Sequence, residues 1–279
     1  MDLMTDILPL VGLLMSLGVV AGFLAGLLGV GGGIILVPGL YAVFNLLQPN
    51  MGFDAIHLMH MSVGTSLAII IPTGLSSALA HHRRGGVDLY LVKVIGSGVV
   101  FGVIIATWIA KGLDAQSMKM IFASAILILA GVMIVNPARF QISKEEPKQP
   151  FSSLAGLIIG GLSTLIGIGG ATLSVPYLSL HGVSMHRAVG SASALGLVIA
   201  VPATIGFMVI GSGQSNLPLF SIGYVNFMAW IAIIPVSVSV APLGVRVAHR
   251  ISVKRLKVIF AFFMMAVALN MWRKILMGV

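Results

Sequence analysis

The sequence predicts an all-α polytopic membrane protein made of two repeated halves, and three observations lead there. The 279 residues are 58% hydrophobic and only 8% charged, with a mean hydropathy of +1.10. Soluble domains carry about 25% charged residues. The apolar runs lack the polar alternation of a membrane β-barrel strand. Finally, a glycine-rich, proline-ended block occurs twice, 138 positions apart: Gly29-Val30-Gly31-Gly32-Gly33 through Pro38, and Gly167-Ile168-Gly169-Gly170-Ala171-Thr172 through Pro176.

The elements follow from where charge interrupts the apolar runs. No Asp, Glu, Lys or Arg occurs from Ile7 to Phe53, and the glycine block sits in the middle of that run. One crossing takes about 20 residues, so this segment is long enough to enter and return as a broken hairpin or re-entrant pair. Spans are then expected near 57–80, 88–110 and 118–136. A polar linker follows, with Lys144-Glu145-Glu146-Pro147-Lys148 at its centre. The second half repeats the order: an uncharged run from Gln149 to His186, then spans near 187–211, 223–246 and 254–276. Gly211 to Pro218 reads as a loop. The halves are 1–140 and 151–279, joined by 141–150. The N-terminus lacks the basic start and cleavage site of a signal peptide, so the first apolar segment is expected to stay in the mature chain.

Two further blocks recur in the same order. Met59-His60-Met61-Ser62-Val63-Gly64-Thr65 matches Met185-His186-Arg187-Ala188-Val189-Gly190-Ser191, and Lys119-Met120-Ile121-Phe122-Ala123 matches Lys257-Val258-Ile259-Phe260-Ala261. If each first segment returns to its starting side, the halves are inverted. Eleven basic residues then share one side: Arg83, Arg84, Arg139, Lys144, Lys148, Arg187, Arg246, Arg250, Lys254, Arg255 and Lys257. The other side holds four, Lys111, Lys119, Arg273 and Lys274, with Lys93 inside a span. Eight simple crossings divide them eight to seven. The bias of basic loops toward the cytoplasm favours the inverted arrangement.

The net charge of +9 belongs to these short loops and does not indicate nucleic acid. The absence of cysteine excludes thiolate chemistry and disulfides. No HExxH, P-loop, serine triad signature or buried carboxylate pair is present, so no enzyme activity, cofactor or metal is expected. The expected partners are the lipid bilayer and a small anionic substrate.

That substrate follows from the glycine blocks. Glycine clusters and proline break helices. Inside a bilayer the freed backbone groups are tolerated only against protein or a water-filled cavity. Helices restarting after the breaks would present positive N-terminal ends. The candidate site is Gly31, Gly32, Gly33, Gly169, Gly170, Ala171 and Thr172, with hydroxyls from Thr65, Ser66, Ser191 and Ser193. His60 and His186 are candidate proton or anion contacts. Each has a plainer reading: glycines at spacings of four pack helices, Ser and Thr bond back to the i−4 carbonyl, and histidines at span starts sit at the interface. Asp88, aligned with Asn226, is an ionisable candidate or a headgroup contact.

The doubled glycine block, with Ser62-Val63-Gly64-Thr65-Ser66 and Ala188-Val189-Gly190-Ser191, resembles the sulfite exporter TauE/SafE family over essentially the whole chain. The resemblance implies a multi-pass permease of a bacterial or archaeal inner membrane for small sulfur-containing anions such as sulfite or organosulfonates. Its second half departs from the first at Ala171 and at Ser191-Ala192-Ser193, so the two sides of a site would differ. The expected function is secondary transport by alternating access. A passive anion channel and a non-transporting membrane subunit of a larger complex are the alternatives.

Overall fold

The computed structural model describes residues 3–28, 32–51, 53–135, 147–248 and 253–277. They form ten α-helices: α1 Leu3–Leu28, α2 Gly33–Met51, α3 Leu58–Arg83, α4 Leu89–Gly112, α5 Ala115–Val135, α6 Phe151–Ile166, α7 Ala171–Leu180, α8 Met185–Ile210, α9 Phe227–Ala248 and α10 Val253–Leu276. Six of them (α3, α4, α5, α8, α9 and α10) contain segments long and apolar enough to cross a membrane. They match the six expected spans to within a few residues. The linker residues 136–146 lie outside the described residues.

One element was not legible in the sequence. The expected span from 223 begins only at Phe227, because Ser221–Ile222 and Val225–Asn226 first pair as a short antiparallel hairpin, β1 and β2. Val225 and Asn226 are buried, and the Asn226 Oδ1 accepts a bond from the Ala229 N–H at 2.9 Å. That side-chain cap satisfies one of the orphan donors of the new helix and sets where it starts.

Helices α3 and α8 form the centre and run antiparallel. Gly64 lies against Phe207 and Tyr224, Gly74 against Leu197, and the Ser77 and Ser193 hydroxyls are 3.2 Å apart. At the far end the rings of His81 and His186 stand 6.2 Å apart. Two faces of the bundle are thereby defined. One carries Asp54, the α4–α5 turn at Asp114 and the β-hairpin. The other carries Arg84, Asp88 and Ser184.

Glycines decide the other close pairs. On α1, Gly18 and Gly22 lie against the backbone of Ile233 and Ser237 of α9. On α4, Gly98 and Gly102 lie against Ser153 and Leu157 of α6, while Gly156 and Gly160 of α6 meet Ile95 and Val99. Both pairs are parallel, and in each the backbones touch where a Cβ would collide. Small residues give such helices dispersion contact in a solvent that supplies no hydrophobic force between them.

The first two helices of each half form hairpins. Gly32 of the first packs beside Ala25 and Ala21, and Gly39 against Leu17, so α2 returns along α1. In the second, the Tyr177 hydroxyl of α7 reaches Ser152 Oγ near the start of α6 at 3.4 Å. Because α1 follows α9 and α6 follows α4, the first hairpin enters from the Asp54 face and the second from the Asp88 face.

Candidate functional site

Among the described residues, Gly32 and Gly33 of the first glycine block and Gly167 to Gly170 of the second lie where the hairpins turn. In the second, Gly167 has a left-handed backbone (φ 68°), which glycine adopts at no steric cost. Its N–H donates to the Thr164 carbonyl at 3.3 Å, and the Ile168 N–H to Ser163 at 3.0 Å, the paired bonds of a Schellman helix end. The chain then restarts as α7 at Ala171, with no side-chain cap. In the first block Gly32 is also left-handed (φ 75°), and its carbonyl accepts from the N–H groups of Ile35 and Leu36, both at 3.0 Å. Gly29 and the candidate Gly31 lie outside the described residues.

The tips touch. A Cβ on Gly33 would stand 2.9 Å from the Gly167 carbonyl oxygen and 3.0 Å from Ile168 Cα and Ile70 Cδ1. Ile70 also lies beside Gly169, and Gly170 lies against Gly196 and Ile199. Ile70 is midway along α3 and Gly196 midway along α8, so the junction sits at half the depth of the bundle. Ser66 ties the halves together by donating its hydroxyl to the Gly167 carbonyl at 2.9 Å.

The candidate residues divide by position. Gly32, Gly33, Ser66, Gly169, Gly170, Ala171 and Thr172 belong to this junction or its first helical turn. Ala171 and Thr172 are buried, and the Thr172 hydroxyl has no partner. Ser163 and Ser174, which flank the same break along the chain, are also buried with unpartnered hydroxyls. Sequence reasoning did not single them out, because a serine in an apolar helix normally bonds back to its own backbone. The signal was their spacing around the break. An orphaned buried hydroxyl costs about 1–3 kcal/mol, so three around one helix break are an unusual concentration.

The other candidates lie away from this junction and make hydrogen bonds within the bundle. Thr65 Oγ1 accepts from the Asn226 N–H at 3.0 Å, and Ser191 Oγ accepts from the Asp88 N–H at 3.0 Å. Each hydroxyl thus docks the start of a helix from the opposite half, α9 and α4. Ser193 donates to the Val189 carbonyl at 2.9 Å and meets Ser77. His60 and His186 lie apart, near opposite faces. His60 is buried beneath Tyr224, ring centroids 5.0 Å apart. Its Nε2 is 3.0 Å from the Ala110 carbonyl, which can only accept, so Nε2 carries the proton. Nδ1 is left as a buried lone pair without a partner. His186 is exposed and lies 3.3 Å from the Arg84 carbonyl.

Asp88 proves to be a helix cap at the face. Its Oδ1 accepts from the N–H groups of Tyr90 at 2.9 Å and Leu91 at 3.2 Å, and Oδ2 pairs with Arg187. Burial pushes its carboxyl up, but the bonds from Arg187, Leu91 and Tyr90 outweigh that and hold it below the usual carboxylate value. Asn226, its aligned counterpart, caps α9 without a charge.

The family model of the sulfite exporter TauE/SafE proteins matches residues 14–271. Similar proteins include a probable membrane transporter protein of Haemophilus influenzae, 32% identical over 94% of this chain and 98% of its own length. A probable membrane transporter protein of Methanocaldococcus jannaschii is 28% identical over 92% of this chain and 93% of its own. Another, YunE of Bacillus subtilis, is 28% identical over 88% of this chain and 92% of its own. With six helices long and apolar enough to cross a membrane and a family match over residues 14–271, the chain is a membrane transporter belonging to the sulfite exporter TauE/SafE family.

Proposed function

We propose that the protein is a secondary transporter of a small sulfur-containing anion, such as sulfite or an organosulfonate, working by alternating access about the hairpin junction. The observation that carries this reading is the contact of Gly33 with Gly167 at half depth. Around it stand the uncapped first turn of α7 and the unpartnered hydroxyls of Ser163, Thr172 and Ser174. Backbone N–H groups and hydroxyls bind an oxyanion without a desolvated lysine or arginine. Gly32, Gly33, Ser66, Gly169, Gly170, Ala171 and Thr172 form its centre, and Gly31 is assigned to it from the sequence alone. Thr65, Ser191 and Ser193 act on the helices around it. His60, with its free Nδ1, is the better placed of the two histidines to take a proton.

The two halves, 1–140 and 151–279, act in this reading as an inverted repeat across the linker. Support comes from the antiparallel α3 and α8, the hairpins entering from opposite faces, and the reciprocal bonds Thr65–Asn226 and Ser191–Asp88. The Asp88 face, rich in arginine and lysine, is cytoplasmic by the positive-inside bias. A membrane potential of 100 mV, inside negative, drives outward movement of one negative charge by about 2.3 kcal/mol, which favours export.

The test is counterflow of radiolabelled sulfite in proteoliposomes of the purified chain. Saturable flux accelerated by unlabelled sulfite on the opposite side is expected. Linear flux without acceleration would instead mark a channel, and no flux of sulfite or any organosulfonate would overturn the proposal.

A further inference from the structure

A cavity lies away from the Gly33–Gly167 contact. It is a cleft of about 480 Å³ between the first hairpin and α10, lined on α2 from Ile35 to Leu46 and on α10 from Phe263 to Lys274. Eleven residues of helix rise about 16 Å, close to half of a hydrocarbon core about 30 Å thick. The cleft therefore runs from the level of the glycine break to one membrane surface, a single leaflet's depth.

Its polarity is graded along that length. At the inner end are Ile35, Pro38 and Phe263; at the outer end are Asn45, Asn270 and Lys274. The outer end belongs to the Asp54 face, because Lys119, one turn after the Asp114 loop, holds its ammonium 5.1 Å from the Tyr41 ring centroid on the cleft wall. Arg273 is drawn to the same rim by its bond to Asn270 Oδ1 at 3.2 Å. None of Lys119, Arg273 and Lys274 pairs with a carboxylate among the described residues. The other half of the chain does not need these groups: 138 positions away, Tyr41 and Asn45 correspond to Ser179 and Val183, and Asn270 to Val132. The polar rim is therefore a feature of this one cleft.

An apolar slot one leaflet deep with a cationic, amide-lined mouth complements a molecule with an acyl chain and a negative head. We propose that this cleft binds one anionic phospholipid, its chain along α2 and its phosphate at Asn45, Asn270 and Lys274. Bound there, the lipid braces α2, whose other end is the hairpin tip. The inference does not depend on which solute is transported.

Native mass spectrometry of the full-length protein, titrated with dioleoyl phosphatidylglycerol or dioleoyl phosphatidylcholine, tests it. One phosphatidylglycerol per chain should be retained, in preference to phosphatidylcholine. Lys274→Gln should weaken phosphatidylglycerol about fivefold, the share of one basic residue near a headgroup, and leave phosphatidylcholine unchanged. Ala42→Trp, which fills the cleft, should remove both lipids. Lys274 is exposed, so its variant tests the idea even if Ala42→Trp fails to fold. Equal retention of the two lipids, an unaffected Lys274→Gln, or displacement of phosphatidylglycerol by inorganic phosphate would overturn the proposal. So would a dimer mass without retained lipid, which assigns the face to a second copy.

Discussion

Gly33, the first residue of α2, lies directly against the backbone of Gly167, the left-handed residue that ends α6: a Cβ on Gly33 would stand 2.9 Å from the Gly167 oxygen. The neighbours on that side are backbone, which cannot swing away. Overpacking of this kind costs about 1–3 kcal/mol. Gly33→Val should lower the thermal midpoint of the detergent-purified protein and its yield as a monodisperse peak. Gly12→Ala, with nothing within 4 Å, should leave both unchanged.

Gly169 separates packing from binding. A Cβ there would meet only Ile70, at 3.5 Å, an ordinary contact. Gly169→Ala should fold with an unchanged thermal midpoint. If the backbone of this buried turn contacts the anion, sulfite counterflow should fall severalfold. Unchanged flux would remove Gly169 from the site.

The unpartnered hydroxyls give a test with opposite signs. Removing a buried hydroxyl that has no partner relieves a desolvation penalty, so Thr172→Val and Ser174→Ala should keep or raise the melting temperature. Their sulfite flux should nonetheless drop. A loss of stability in step with flux would mean a structural role only. Ser66→Ala behaves differently, since it strips the Gly167 carbonyl of its donor; a cost of about 1–3 kcal/mol should appear in the melting temperature.

Asp88 predicts a pH effect. Its folded value is held below the usual carboxylate value by Arg187 and the N–H groups of Leu91 and Tyr90, against the upward push of burial. A carboxyl depressed by folding contributes stability above its unfolded value, near pH 4, and loses it as pH falls through the folded value. The thermal midpoint should therefore drop below about pH 4. Asp88→Asn, which keeps the cap as Asn226 does, should flatten that dependence, while Asp88→Ala should cost about 1 kcal/mol at neutral pH.

His60→Gln retains an N–H donor for the Ala110 carbonyl but has no titrating nitrogen. If Nδ1 takes a proton during transport, this variant should fold normally and lose the pH dependence of sulfite flux. A pH profile identical to the parent chain would exclude His60 as the proton carrier.

What the sequence determined by itself is what one-dimensional hydrophobicity and backbone preference encode. Runs without charge set six spans, because a charged side chain is costly in hydrocarbon. The two glycine blocks set the helix breaks, because residues such as Gly167 must adopt a left-handed backbone. What only the tertiary structure decided is which groups meet. Thr65 and Ser191 are candidate ligands in the sequence, and the structure adds that each accepts an N–H from the opposite half; a hydroxyl's partner 103 or 161 residues away leaves no local pattern. Ser163 and Ser174 carry no mark in the sequence, and packing left their hydroxyls unpartnered beside the break. The β-hairpin before α9, the Arg187–Asp88 pair and the cleft beside α2 arise the same way, from distances set by helix packing and not by neighbours in the chain.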